Sequence, residues 1–150
     1  MIKIILLFLF PYYIYAGQFS PYLSPGMQIG INSDKDLFVS IQTTIGIIDD
    51  DIINDFYPPI GITFGKRFYY MKNKEWDSYN YIDAQISTIW LGIGYGIIID
   101  KNKQYNKFKI FGGAWGLLSY DYINWDKIKH HYGAFIVLPI RYEDGDFNID

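Results

Sequence analysis

The sequence predicts an all-β fold, a small antiparallel up-and-down barrel of about eight strands, and three observations carry that expectation. Large apolar residues alternate with Gly, Ser, Thr and Gln along most of the chain, the period of a pleated strand and not of a helix. The stretch Ile82 to Asp100, which holds almost no charge, is built from Ile, Thr and glycines at Gly92, Gly94 and Gly96, poor choices for a membrane helix and good ones for a sheet. Between the alternating stretches lie turn residues, as in Asn32-Ser33-Asp34-Lys35-Asp36 and Asp144-Gly145.

Taken in order, the chain begins with Lys3, an apolar run from Ile4 to Phe10 and a small residue at Ala16, the pattern of a secretory signal peptide spanning residues 1–16. Residues 17–150 then form a single β-barrel domain, since 150 residues suit one core and not two. Gln18 to Ser24 reads as an extended lead-in, with Pro21 within it and Pro25 just after. Met27, Ile29 and Ile31 define a first strand, and Leu37 to Ile47 a second. Asp49 to Pro59 is a loop or edge, as Pro58-Pro59 has no ladder donors.

A third strand runs from Ile60 to Met71, with Lys66 interrupting its apolar face. From Ile82 the apolar phase is even up to Trp90 and odd from Leu91, which requires a bulge, a corner or two separate strands there. A single straight strand of that length would far exceed the usual ~20 Å. After a turn from Asp100 to Asn106, Lys107 to Tyr122 forms a strand bent at Gly112-Gly113. His131 to Tyr142 is a last strong strand, apolar on both faces, and the tail offers a short one more.

Two architectures share this pattern. A soluble barrel turns its large apolar face inward and coats itself with charge. An outer-membrane barrel turns that face to lipid, ringed by aromatic residues, and fills its interior with small and polar groups. The face opposite the apolar one holds Gly, Ser, Thr and Gln with a few charges (Arg67, Asp83, Lys107, Lys109, Arg141), a thin coat for a water-facing surface, and the 20% aromatic content suits girdles. Against the membrane stand the short loops, a strand count that needs a weak strand to reach eight, and a chain that closes on Asp150 where such barrels usually close on an aromatic residue.

The candidate chemistry is sparse. His130 and His131 are the only histidines, and as strand neighbours they point to opposite faces, so they do not share a metal; a wet strand end is the expected setting. Asp49, Asp50, Asp51 and Asp55 match no calcium-loop spacing and read as a solvated acidic turn. Gly92, Gly94 and Gly96 spell GxGxG without a following helix, which cradles no phosphate. In length and barrel pattern the chain resembles small outer-membrane lipid A deacylases, which carry His-x-Ser near their last strands. The matching stretch here is His131-Tyr132-Gly133, and the hydroxyl is absent.

No catalytic, cofactor-binding or metal-binding residue is therefore assigned. The net charge of −3 and the lack of a basic stripe argue against nucleic acid, and the lack of cysteine removes disulfides and a lipidated cysteine. The expectation is an exported, non-enzymatic barrel in the outer membrane of a Gram-negative bacterium, with the lipid bilayer as its first partner and a structural or interaction role. The alternative is a soluble periplasmic or secreted lipocalin-like barrel holding a small apolar ligand.

Overall fold

The computed structural model describes residues 19–49, 60–71, 75–88, 90–112, 118–125, 128–138, 140–143 and 146–149. Ten strands follow one another: β1 (Phe19–Asn32), β2 (Leu37–Asp49), β3 (Ile60–Tyr70), β4 (Trp76–Ser87), β5 (Leu91–Asp100), β6 (Lys103–Gly112), β7 (Leu118–Ile123), β8 (His130–Val137), β9 (Ile140–Glu143) and β10 (Asp146–Ile149). Each of β1 to β8 pairs antiparallel with the next, and β8 pairs back onto β1, so eight strands close a barrel in up-and-down order. No helix occurs among the described residues.

The registers fix the shape of the barrel. Stepping across the ladder from Tyr22 leads through Gly46, Gly61, Gln85, Gly94, Lys109, Asp121 and His131 to Asn32, a return to β1 ten residues further on. At ~3.3 Å per residue and ~4.8 Å between strands, this stagger tilts the strands by about 40° and gives a backbone radius of about 8 Å. A cylinder of that width is just wide enough to be filled by side chains.

The strand ends differ from the sequence expectation in several places, each for a local reason. β1 starts at Phe19, so the two prolines lie within it. The carbonyl of Pro25 accepts from Leu138 N at 2.8 Å, and Pro25 has no amide hydrogen to return the bond. The stretch expected as one strand from His131 is divided here into β8 and β9. Both keep one register against β1, Val137 opposite Gly26 and Ile140 opposite Leu23, so β9 is the continuation of β8 past a gap with few donors. β10 pairs with β9 as a terminal hairpin.

The phase change near Trp90 is a chain reversal and not a bulge. Thr88 holds it: its amide donates to the carbonyl of Leu91 at 2.8 Å, and its hydroxyl oxygen accepts from Leu91 N at 3.1 Å. Lys107 to Tyr122 is likewise two antiparallel strands, β6 and β7, instead of one bent strand. The turn after β5 is only Lys101-Asn102, both with positive φ (43° and 71°), the backbone that a two-residue hairpin needs to match strand twist. Asp50, Asp51, Asp55, Gly113, Asp144, Gly145 and the predicted signal peptide lie outside the described residues.

Alternation decides inside from outside. Along β3, Thr63, Arg67 and Tyr69 are buried, while Ile60, Ile62, Phe64, Lys66 and Tyr70 are exposed. The same inversion runs around the barrel: the buried charges and most buried polar groups lie within, beside a smaller set of rings and isoleucines, while rows of Ile, Leu and aromatic side chains face out.

Candidate functional site

The interior charges come from strand positions that parity turns inward: Arg67 on β3, Asp83 on β4, Lys107 and Lys109 on β6, Asp121 on β7. All are essentially inaccessible, and a charge removed from water must be paired. Arg67 Nη2 reaches Asp121 Oδ2 at 2.5 Å and also donates to Gln28 Oε1 at 2.7 Å, while Arg67 Nε donates to Ser40 Oγ at 2.7 Å. Its guanidinium stacks 4.2 Å from the Phe38 ring centre. Lys107 Nζ meets Asp83 Oδ2 at 2.6 Å, stands 4.0 Å from Asp121 Oδ2, and lies 3.9 Å from the centre of the Tyr81 ring.

Lys109 is different. It makes no carboxylate contact among the described residues and instead sits 5.0 and 5.1 Å from the ring centres of Phe111 and Phe135. The network therefore holds three cations against two carboxylates.

Above the charges, toward the Asn32–Asp36 turn, lies an aromatic plug of Phe38, Tyr69, Tyr79 and Trp125 with Ile98, Ile123 and Ile128. Trp125 meets Tyr69 and Tyr79 edge-on, at 6.2 and 5.7 Å. Below the charges, the hydroxyls of Thr44 and Thr63 bond at 2.8 Å, and Tyr81 OH donates to Gln42 Oε1 at 2.9 Å. Large rings fit a cylinder this narrow because glycines face them. Tyr81 lies flat over Gly65 and Phe111 over Gly92, where a Cβ would fall within the ring's own atoms. Among the described residues, the interior at the level of the charges and of the plug is thus occupied by these side chains.

The outer wall is the reverse. Along β2, Leu37, Ile41 and Ile45 are more than half exposed, and along β1 Met27 and Ile29 are 60% exposed. On β2 the outward row from Leu37 to Ile47 spans about 25 Å along the barrel axis at the tilt above. Aromatic side chains gather toward the same end as the plug: Tyr70 packs on Trp76 at 5.2 Å, and Tyr120 on Tyr132 at 5.3 Å. Among the described outward side chains of β1 to β8, Lys66 is the single Lys, Arg, Asp or Glu.

The two histidines do face opposite ways. His130 looks outward, its Nδ1 2.8 Å from Tyr120 OH and its ring stacked on that of Tyr120. His131 is not at a wet strand end: it is wholly enclosed, edge-on to Phe38 at 5.4 Å and to Tyr79 at 6.4 Å, and neither ring nitrogen has a hydrogen-bond partner among the described residues. Parity alone sends it inside, beside Asp121 in the ladder. The interior hydroxyls of Ser40 and Ser119 are engaged by Arg67 and Gln28, so neither forms a nucleophile–base pair with His131. Gly133, where the deacylase resemblance would place a serine, lies on β8 two residues beyond His131 and has no hydroxyl to offer.

Asp121 is the member that sequence reading passed over. The signal was available, since it shares the parity of Ser119 and Lys109's partner strand. No protein-family model, curated protein or solved structure matches the chain.

Proposed function

We propose that the protein is a lipid-embedded barrel of the outer-membrane type whose role is structural or interactive and not catalytic. The single observation that carries this reading is the inversion of faces: Arg67, Asp83, Lys107, Lys109 and Asp121 are inside, while the Ile, Leu and aromatic rows are outside. In water, such a wall would be one contiguous apolar surface, far beyond the few hundred Å² a soluble monomer usually exposes. In a bilayer it is the matching surface, and the ~25 Å height of the β2 row equals the apolar band of transmembrane barrels. Strand number and closure support the same reading, because eight antiparallel strands leave no open edge in β1 to β8.

The packed interior supports an anchor or scaffold that acts through its ends, in place of a conduit. It also counts against a lipocalin-like carrier, whose ligand would need an apolar cavity where this barrel holds ion pairs. Export under a signal peptide at residues 1–16 belongs to the same reading, and an intact mass beginning at Gly17 checks it. The function itself is tested by refolding residues 17–150 with phospholipid vesicles and floating them on a density gradient. The chain is expected to rise with the vesicles and to aggregate without lipid or detergent. A monodisperse, lipid-free monomer in buffer would overturn the proposal.

A further inference from the structure

The outer wall is not uniformly apolar. On β7, β8, β1 and β2 the outward rows keep Tyr122, Tyr132, Ile31 and Leu37 up to the plug end. On β4 the outward positions Ser78 and Asn80 are polar, set below Trp76 and between Phe68 of β3 and Ile99 of β5, so a small polar notch is let into the apolar wall there. Lys66 stands at the edge of this polar notch, directly across the ladder from Asn80 and from Ile41. It is four residues short of the strand end at Tyr70, about 10 Å below it along the axis.

A lysine at that depth reaches upward with its four-carbon stem along apolar surface. Its ammonium lies 5.3 Å from the Phe68 ring centre and has no carboxylate partner among the described residues. Beneath it runs a groove of about 490 Å³ walled by Ile41, Thr43, Phe64 and Ile82, with Lys66 and Asn80 at its upper end.

Resting on the membrane reading above, we infer that this groove binds one anionic phospholipid: the phosphate meets the Lys66 ammonium and the Asn80 amide, and an acyl chain lies along Ile41, Phe64 and Ile82. Charge selects the occupant. A neutral apolar chain would leave Lys66 as an uncompensated cation in the wall, whereas a phosphate at the notch neutralises it and takes hydrogen bonds from both side chains. The notch supplies the geometry, because Asn80 stands directly across the ladder from Lys66 and the two side chains can meet one phosphate.

The test is native mass spectrometry of the full folded chain, released by mild detergent from vesicles of equal phosphatidylglycerol and phosphatidylcholine. The wild type is expected to retain phosphatidylglycerol over phosphatidylcholine by about fivefold, the size of one lysine's attraction at a membrane surface. Lys66→Gln and Asn80→Ala should each reduce that preference, Lys66→Gln to near parity, with unchanged vesicle flotation. Equal retention in the wild type, or an undiminished preference in Lys66→Gln, overturns the lipid site while leaving the barrel in the membrane. A dimer mass without bound lipid assigns the groove to a second copy and also overturns it. Failure of the wild type to float removes the membrane reading and the site together.

Discussion

Arg67 and Asp121, 54 residues apart in sequence, meet at 2.5 Å across the middle of the barrel. Their strands, β3 and β7, stand four places apart in a ring of eight and so face each other across its diameter. The pair is a cross-brace between strands that share no backbone hydrogen bond.

A brace of this kind is strong against removal of one end. Arg67→Met leaves the Asp121 carboxylate enclosed without its main partner, and Asp121→Leu strands the guanidinium. Each is expected to destabilise the barrel by roughly 3–5 kcal/mol, while the double substitution recovers a large part because no buried charge is left alone. Urea unfolding in vesicles, arranged as a double-mutant cycle, measures the coupling.

The two lysines of β6 should respond with different sign. Lys107→Met leaves Asp83 without the ammonium now 2.6 Å away, and a loss of several kcal/mol is expected. Lys109→Met removes a cation with no carboxylate in ion-pair contact among the described residues and replaces it with an apolar chain between Phe111 and Phe135, so stability should hold or rise. Equal damage from both would show that Lys109 has a partner of equal worth.

Glycine positions divide in the same way. At Gly65 and Gly92 a methyl group would occupy the space of the Tyr81 and Phe111 rings, and Gly→Ala is expected to cost about 1–3 kcal/mol as overpacking. At Gly94 the nearest atoms stand 3.5 Å from the added carbon, an ordinary contact. Gly94→Ala should be tolerated or stabilise by about 0.4–1 kcal/mol through the unfolded chain. The folded-to-unfolded mobility shift on unheated gels, followed in urea, ranks the three.

Much of this fold was legible in the sequence, and the limits were physical. The period-2 alternation of β2 and β3 set both faces correctly, since parity admits no intermediate. Boundaries were harder. Pro21 and Pro25 read as a break because proline lacks a donor, yet β1 tolerates Pro25 where its strand faces the junction of β8 and β9. The reversal at Thr88–Leu91 carries neither Gly nor Pro and is held by the Thr88 amide and hydroxyl, so length pointed to two strands there while the local residues left a bulge or corner equally open.

The site was legible in kind but not in detail. The inward charges on β3, β4 and β6 stood out against Gly and Ser. Which of them meet depends on the stagger of ten residues around the ring, a property of all eight registers at once that no local pattern encodes. His131 was expected at a wet strand end for that reason: parity turns it inward, but its full enclosure also depends on closure of β8 against β1, where it stands opposite Asn32.

Whether the outward apolar wall meets lipid can be tested directly, because the chain has no cysteine. Ile93 is 47% exposed on β5, in the midst of that wall. An Ile93→Cys chain, labelled while unfolded with an environment-sensitive fluorophore and then folded into vesicles, reports what surrounds the position. The account predicts a blue-shifted emission quenched by spin-labelled acyl chains and untouched by aqueous iodide. Emission quenched by iodide and indifferent to the lipid label would contradict it.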